Sequence, residues 1–154
     1  MTACQLLIHL TNNQVADLFK VARSLPQDKL DWKPAPGARS ALDQLQEVAT
    51  ALDFFLEGMK QREVKWDEET GQRWEEERAK LTTLDELEAA TLRTTKLLTD
   101  YLATLTDDEL DEKVIVPFPI EMNLGENMAY HYWNMSYHQG QIYYIKSMLT
   151  EPEG

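Results

Sequence analysis

The chain has 154 residues, 27 of them acidic and 15 basic, for a formal net charge of −12. That length is enough for one domain to bury a continuous core without a disulfide or structural metal, so a single domain over 1–154 is expected. The acidic surface repels DNA, RNA and anionic membranes, which argues against those partners.

Cys4 is the only cysteine. It has no partner for a bridge and no Cys/His neighbours for a zinc site, so it is expected to pack in a helix in a reducing, cytoplasmic setting. The opening MTACQLLIHLTNNQVADLF lacks a basic start, and polar residues interrupt its apolar ones. It reads as neither signal peptide nor membrane span.

Residues 4–24 place Ile8, Val15, Phe19 and Ala22 on one face, the spacing of an amphipathic helix. His9 lies beside that stripe and is given no role. In the connector SLPQDKLDWKPAPGARS, Pro26 suits the first turn of a short helix, whereas Pro34, Pro36 and Gly37 forbid a long one. Ser40 has the character of an N-cap, with Asp43 three residues on. Leu42, Leu45, Ala49, Leu52, Leu56 and Met59 then mark a second helix over 41–60.

Residues 61–82 are charged and hold two tryptophans and a glycine; a solvated loop with at most one helical turn is expected, with Trp66 and Trp74 as lids or anchors. Thr83 and Glu86 have capping-box spacing, and Leu84, Leu87, Thr91, Leu98 and Leu102 carry a third helix to about Leu105. Thr106 with Glu109 suits a short capped turn, and Pro117 and Pro119 keep KVIVPFP extended. A fourth helix over 124–149 precedes the polar tail EPEG. No internal repeat or low-complexity tract is visible. The fold class that follows is all-α, a four-helix bundle with long first and third connections.

Leu124, Met128, His131, Met135, His138, Ile142, Ile145 and Leu149 form a heptad seam on the fourth helix, which sends both histidines toward the interior. Buried imidazoles need hydrogen-bond partners and favour the neutral form, which is also the metal-binding form. The plain alternative is a core histidine satisfied by a tyrosine, a carbonyl or Glu47. Seven residues separate the pair by about 10.5 Å along the axis, too far to share one ion easily. The residue four before His138 is Asn134, a weak ligand for a borderline metal. Tyr130, Tyr132, Tyr137, Tyr143 and Tyr144 surround the seam, as packing or as a dimer surface.

LPQDKLDWKPAPGARSALDQLQEVA (25–49), with its Trp-x-Pro-x-Pro-Gly connector, and NMSYHQGQI (134–142) together resemble the DinB-like (DinB/YfiT) superfamily of four-helix bundles. The resemblance implies a divalent metal, commonly zinc or nickel, on one histidine of helix two and an i, i+4 histidine pair on helix four. It also implies thiol-dependent transferase or isomerase chemistry on a small-molecule substrate in some members, and a homodimer; thiol-linked transferase or hydrolase chemistry is the expectation for this chain. The matching positions here are Glu47, Asn134 and His138, so one histidine of three is kept. An oxygen-rich site for zinc, nickel, manganese or iron is one expectation. Another is a metal-free acid–base pair in which Glu47 accepts a hydrogen bond from His138. A shifted ion would use His131 with Asn134. In the His-x-Gly-Gln ending, Gly140 is expected to allow close helix approach and Gln141 to orient a neighbour. The competing function is a non-catalytic, dimeric stress-response or ligand-binding bundle that has lost its metal.

Overall fold

The computed structural model describes residues 1–150; the tail EPEG lies outside the described residues. Five α-helices form: α1 (Ala3–Arg23), α2 (Ala41–Lys60), α3 (Glu68–Ala79), α4 (Leu84–Leu102) and α5 (Leu124–Leu149). Each begins where a side chain can accept a hydrogen bond from the first turn. Ser40 accepts from the Asp43 amide, and Thr2, Thr83 and Asn123 make reciprocal capping boxes with Gln5, Glu86 and Glu126.

Four of the helices close into a bundle in which α1 and α2 each pack against both α4 and α5, leaving α4 and α5 on a diagonal. Two apolar clusters fill it. One gathers Leu18, Phe19, Leu45, Val48, Leu87 and Ile142, the other Leu52, Leu56, Leu98, Leu102, Leu124 and Met128. Each fully buried leucine contributes on the order of 2 kcal/mol. Between the clusters the core turns polar, with Thr11, Thr95 and His131 buried at mid-height.

The segment 61–82 departs from the expected loop. Asp67 caps a twelve-residue helix, α3, which lacks an apolar stripe and docks on α2 through particular side chains. Trp66 stacks on Phe55 with ring centroids 5.0 Å apart, Trp74 packs edge-on against Trp66, and its indole N–H donates to Thr50 Oγ1. Phe54 and Phe55 on α2 are thus half-buried, packed against these two tryptophans from within the chain. Between α4 and α5 a capped 3-10 turn (Asp107–Asp111) leads to a short antiparallel pair, β1 (Lys113–Val114) and β2 (Met122–Asn123). No described helix is long and apolar enough to cross a membrane.

Every residue of the α5 seam is buried except Leu149, which is half-buried. Of the helix's tyrosines, Tyr130, Tyr137, Tyr143 and Tyr144 are exposed, so of packing and a surface role it is the surface role that their exposure fits. One expectation for this helix needs correction. Gly140 approaches nothing: a Cβ there would meet no atom within 4 Å.

Candidate functional site

The N-cap at Ser40 sets the phase of α2. Arg39, Asp43 and Glu47 then follow at intervals of four along one face, with Gln44 turned inward beside them. On α5, Asn134 and His138 are also four apart and face the same spot.

His138 is 2% exposed. Its Nδ1 lies 2.7 Å from Gln44 Oε1 and its Nε2 3.2 Å from Glu47 Oε1. Asn134 donates from Nδ2 to the same Glu47 oxygen at 3.2 Å. The second carboxylate oxygen, Oε2, is 2.5 Å from Arg39 Nη1. Arg39 Nε reaches Asp43 Oδ2 at 2.5 Å, and Arg78 from α3 donates to both Asp43 Oδ1 (2.5 Å) and the Asp43 carbonyl (2.6 Å). One connected network therefore runs from α3 through α2 to α5.

Burial alone would raise the pKa of Glu47, whose side chain is 17% exposed. Hydrogen bonds and charge from His138 and Arg39 outweigh that and hold it down at about 2. As a carboxylate Glu47 can only accept, so His138 Nε2 carries the proton it offers. Nδ1 is then satisfied either by accepting from the Gln44 amide or, with the Gln44 carbonyl turned toward it, by donating as well. The pair has the geometry for holding or passing one proton.

His131 is not part of this cluster. It reaches across the bundle diagonal, with Nε2 2.9 Å from Thr95 Oγ1 on α4, and burial lowers its pKa to about 4. The structure thus brings Glu47, Asn134 and His138 together and leaves His131 apart. Gln44, Arg39, Asp43 and Arg78 complete the site without having been singled out by sequence. The four-residue spacing of 39, 43 and 47 is a signal that could have found three charged partners; nothing in the sequence points to Arg78. Gln141, expected to orient a neighbour, instead lines a groove.

That groove, about 630 Å³, lies between the 34–39 connector and the C-terminal half of α5. Tyr137, Tyr144 and Met148 give it an apolar wall, and Arg39, Gln44 and Gln141 supply its polar groups. Its volume falls within the range of small-molecule sites. It touches Arg39 and Gln44, the residues that hold Glu47 and His138.

The residues present do not fit a zinc or nickel ion. Such sites take three or four strong donors, and here Glu47 and His138 are the strong ones. Asn134 turns its NH₂ to Glu47, and Arg39 holds the other carboxylate oxygen. Among the described residues no group of three or more His, Cys, Asp or Glu side chains converges.

The sequence profile of the DinB superfamily matches residues 10–142. A solved DinB-like protein from Bacillus subtilis superposes with a TM-score of 0.66, covering 96% of this chain and 93% of its own at 16% identity, a likeness of fold. No curated protein matches.

Proposed function

This chain belongs to the DinB superfamily, and we propose that within it the chain is a metal-free, small-molecule-binding bundle whose groove lies against Arg39 and Gln44, the residues that hold the Glu47–His138 pair. The observation that carries this reading is the salt bridge to Glu47 from Arg39, which also lines the groove. It leaves His138 hydrogen-bonded and the half-buried Glu47 carboxylate charge-balanced with no further ion. Tyr137 and Tyr144 offer stacking surface and Gln44 and Gln141 offer hydrogen bonds, the mixture expected of a site for a small amphipathic molecule.

The divalent-metal transferase or hydrolase is the competing reading, favoured by the convergence of Glu47, Asn134 and His138 on one spot. Elemental analysis of untagged protein, purified without chelators or a nickel column, separates the two. A full equivalent of zinc, nickel, manganese or iron that disappears in His138→Ala would establish the metal centre and overturn ours. Ligand-detected NMR with aromatic and thiol-bearing fragments tests the groove itself. Fragments that bind should lose their signal in Tyr144→Ala; binding indifferent to that change would rule the groove out.

A homodimer is part of the proposal. Tyr130, Trp133 and Tyr137 form a continuous aromatic strip on α5, with successive ring centroids 5.5 and 5.3 Å apart, and Trp133 is 54% exposed. Sedimentation should show a dimer that Trp133→Glu dissociates. A monomeric parent protein would remove this part of the proposal.

A further inference from the structure

The guanidinium of Arg39 stands against Glu47 as a metal ion would stand against a carboxylate ligand, and its surroundings look built for it. We propose that Arg39 is a built-in cation, which takes the electrostatic place of a divalent ion beside Glu47 and His138 and keeps this member of the superfamily metal-free.

Three observations carry the inference. Glu47 already has its countercharge: Arg39 lies between Glu47 and Asp43, while Arg78 pairs with Asp43 and with the exposed Glu75. A dication added to Glu47 would either face a guanidinium or have to expel it, and both are opposed in a half-buried setting where charges are weakly screened. Arg39 is also fixed from two sides, by Nη1 on Glu47 and by Nε on Asp43. Asp43 is itself anchored by the buried Arg78. A fork held at both ends is a positioned group, unlike a lysine waving from the surface. Finally, Asn134 presents Nδ2 to Glu47 Oε1. The amide thus gives the Glu47 carboxylate a hydrogen-bond donor and points its own wrong end at any ion there.

The inference rests on the metal-free part of the proposed function but not on a ligand entering the groove: zinc bound by the parent protein through His138 would overturn both, whereas a lysine variant that binds zinc as tightly as the methionine one would overturn the inference alone. It makes a constructive claim: the site lacks a metal because of two identifiable side chains, and replacing both should restore one. Arg39→Met removes the charge while keeping the length, and Asn134→His supplies an imidazole four residues before His138, the spacing that suits one ion.

The test is equilibrium dialysis of the full chain against buffered zinc, with folding checked by circular dichroism. The parent protein should take up no zinc. The Arg39→Met/Asn134→His variant should bind about one equivalent, with an affinity about a hundredfold above that of Arg39→Lys/Asn134→His, which keeps the positive charge. Parent protein that binds a full equivalent through His138, or a lysine variant that binds as tightly as the methionine one, would overturn the proposal. Should the double variants not fold, the single changes decide: zinc affinity about tenfold higher in Arg39→Met than in Arg39→Lys supports it, and equal affinity refutes it.

Discussion

His131 and His138 lie on the same buried stripe of α5, yet they answer to different helices and different chemistry. His131 Nε2 meets the Thr95 hydroxyl on α4, and His138 Nε2 meets the Glu47 carboxylate on α2. One imidazole has a neutral partner and the other an anion. Two turns of helix therefore separate a structural histidine from the candidate working one.

The neutral environment of His131 makes it a source of acid sensitivity. Its folded pKa of about 4 lies below the unfolded value of about 6.5, so the unfolded chain binds the extra proton between those limits. The contribution is fully present above about pH 6.5 and is lost as pH falls through 4, for a total of about 3 kcal/mol. Urea denaturation at pH 7 and pH 4.5 should show the loss in the parent protein. His131→Leu should show a smaller one, and an unchanged pH slope would mean that His131 is charged in the fold.

Glu47 acts in a lower window and for the opposite reason. Its folded pKa of about 2 lies below the ordinary 4.5, because His138 and Arg39 favour the carboxylate over the cost of burying it. Here too the unfolded state binds more protons. Stability is complete above about 4.5 and falls as pH drops through 2, by up to about 3 kcal/mol. Acid titration followed by circular dichroism should therefore show a transition in this window that Glu47→Gln flattens, while leaving the His131 window in place.

The helical frame and the buried seam of α5 were legible because they follow from the period of apolar residues and from capping chemistry at Ser40 and Thr83. Convergence of Glu47 with Asn134 and His138 was legible only through the family resemblance, since Glu47 sits at the edge of its helix's apolar arc. Arg39 went unnoticed because it ends a connector whose prolines dominate its reading. Arg78 was hidden for a different reason. It belongs to a polar helix with no stripe, held by two tryptophans and an arginine, so periodicity carries no trace of its docking.

Arg78 gives α3 its firmest attachment. It is 6% exposed, its guanidinium lies 5.1 Å from the Trp74 ring centroid, and it donates to both the carbonyl and the carboxylate of Asp43. Arg78→Ala leaves Asp43 Oδ1 without its donor, while Arg39 still holds Oδ2 and the carbonyl, and should cost about 2 kcal/mol, with a shift in tryptophan emission as Trp74 becomes wetter. Arg78→Lys should recover little, because an ammonium cannot reproduce the planar fork or the stacking. Full recovery by lysine would reduce the role of Arg78 to that of a point charge.

Two glycines inside helices separate close approach from open space. At Gly58, near the end of α2, a Cβ would sit 2.9 Å from both the Glu63 carbonyl oxygen and the Val64 Cα, which are backbone atoms that cannot rotate away. Gly58→Ala must therefore push the chain after α2 off its seat and should destabilise by about 2 kcal/mol. At Gly140 the same methyl meets nothing, and alanine is the better helix former, so Gly140→Ala should stabilise by about 0.5–1 kcal/mol. Thermal melts of the two variants should move in opposite directions. If Gly140→Ala also melted lower, the exposed face of α5 around the groove would have to be covered by something that the methyl displaces, and a second copy of the chain would be the first candidate.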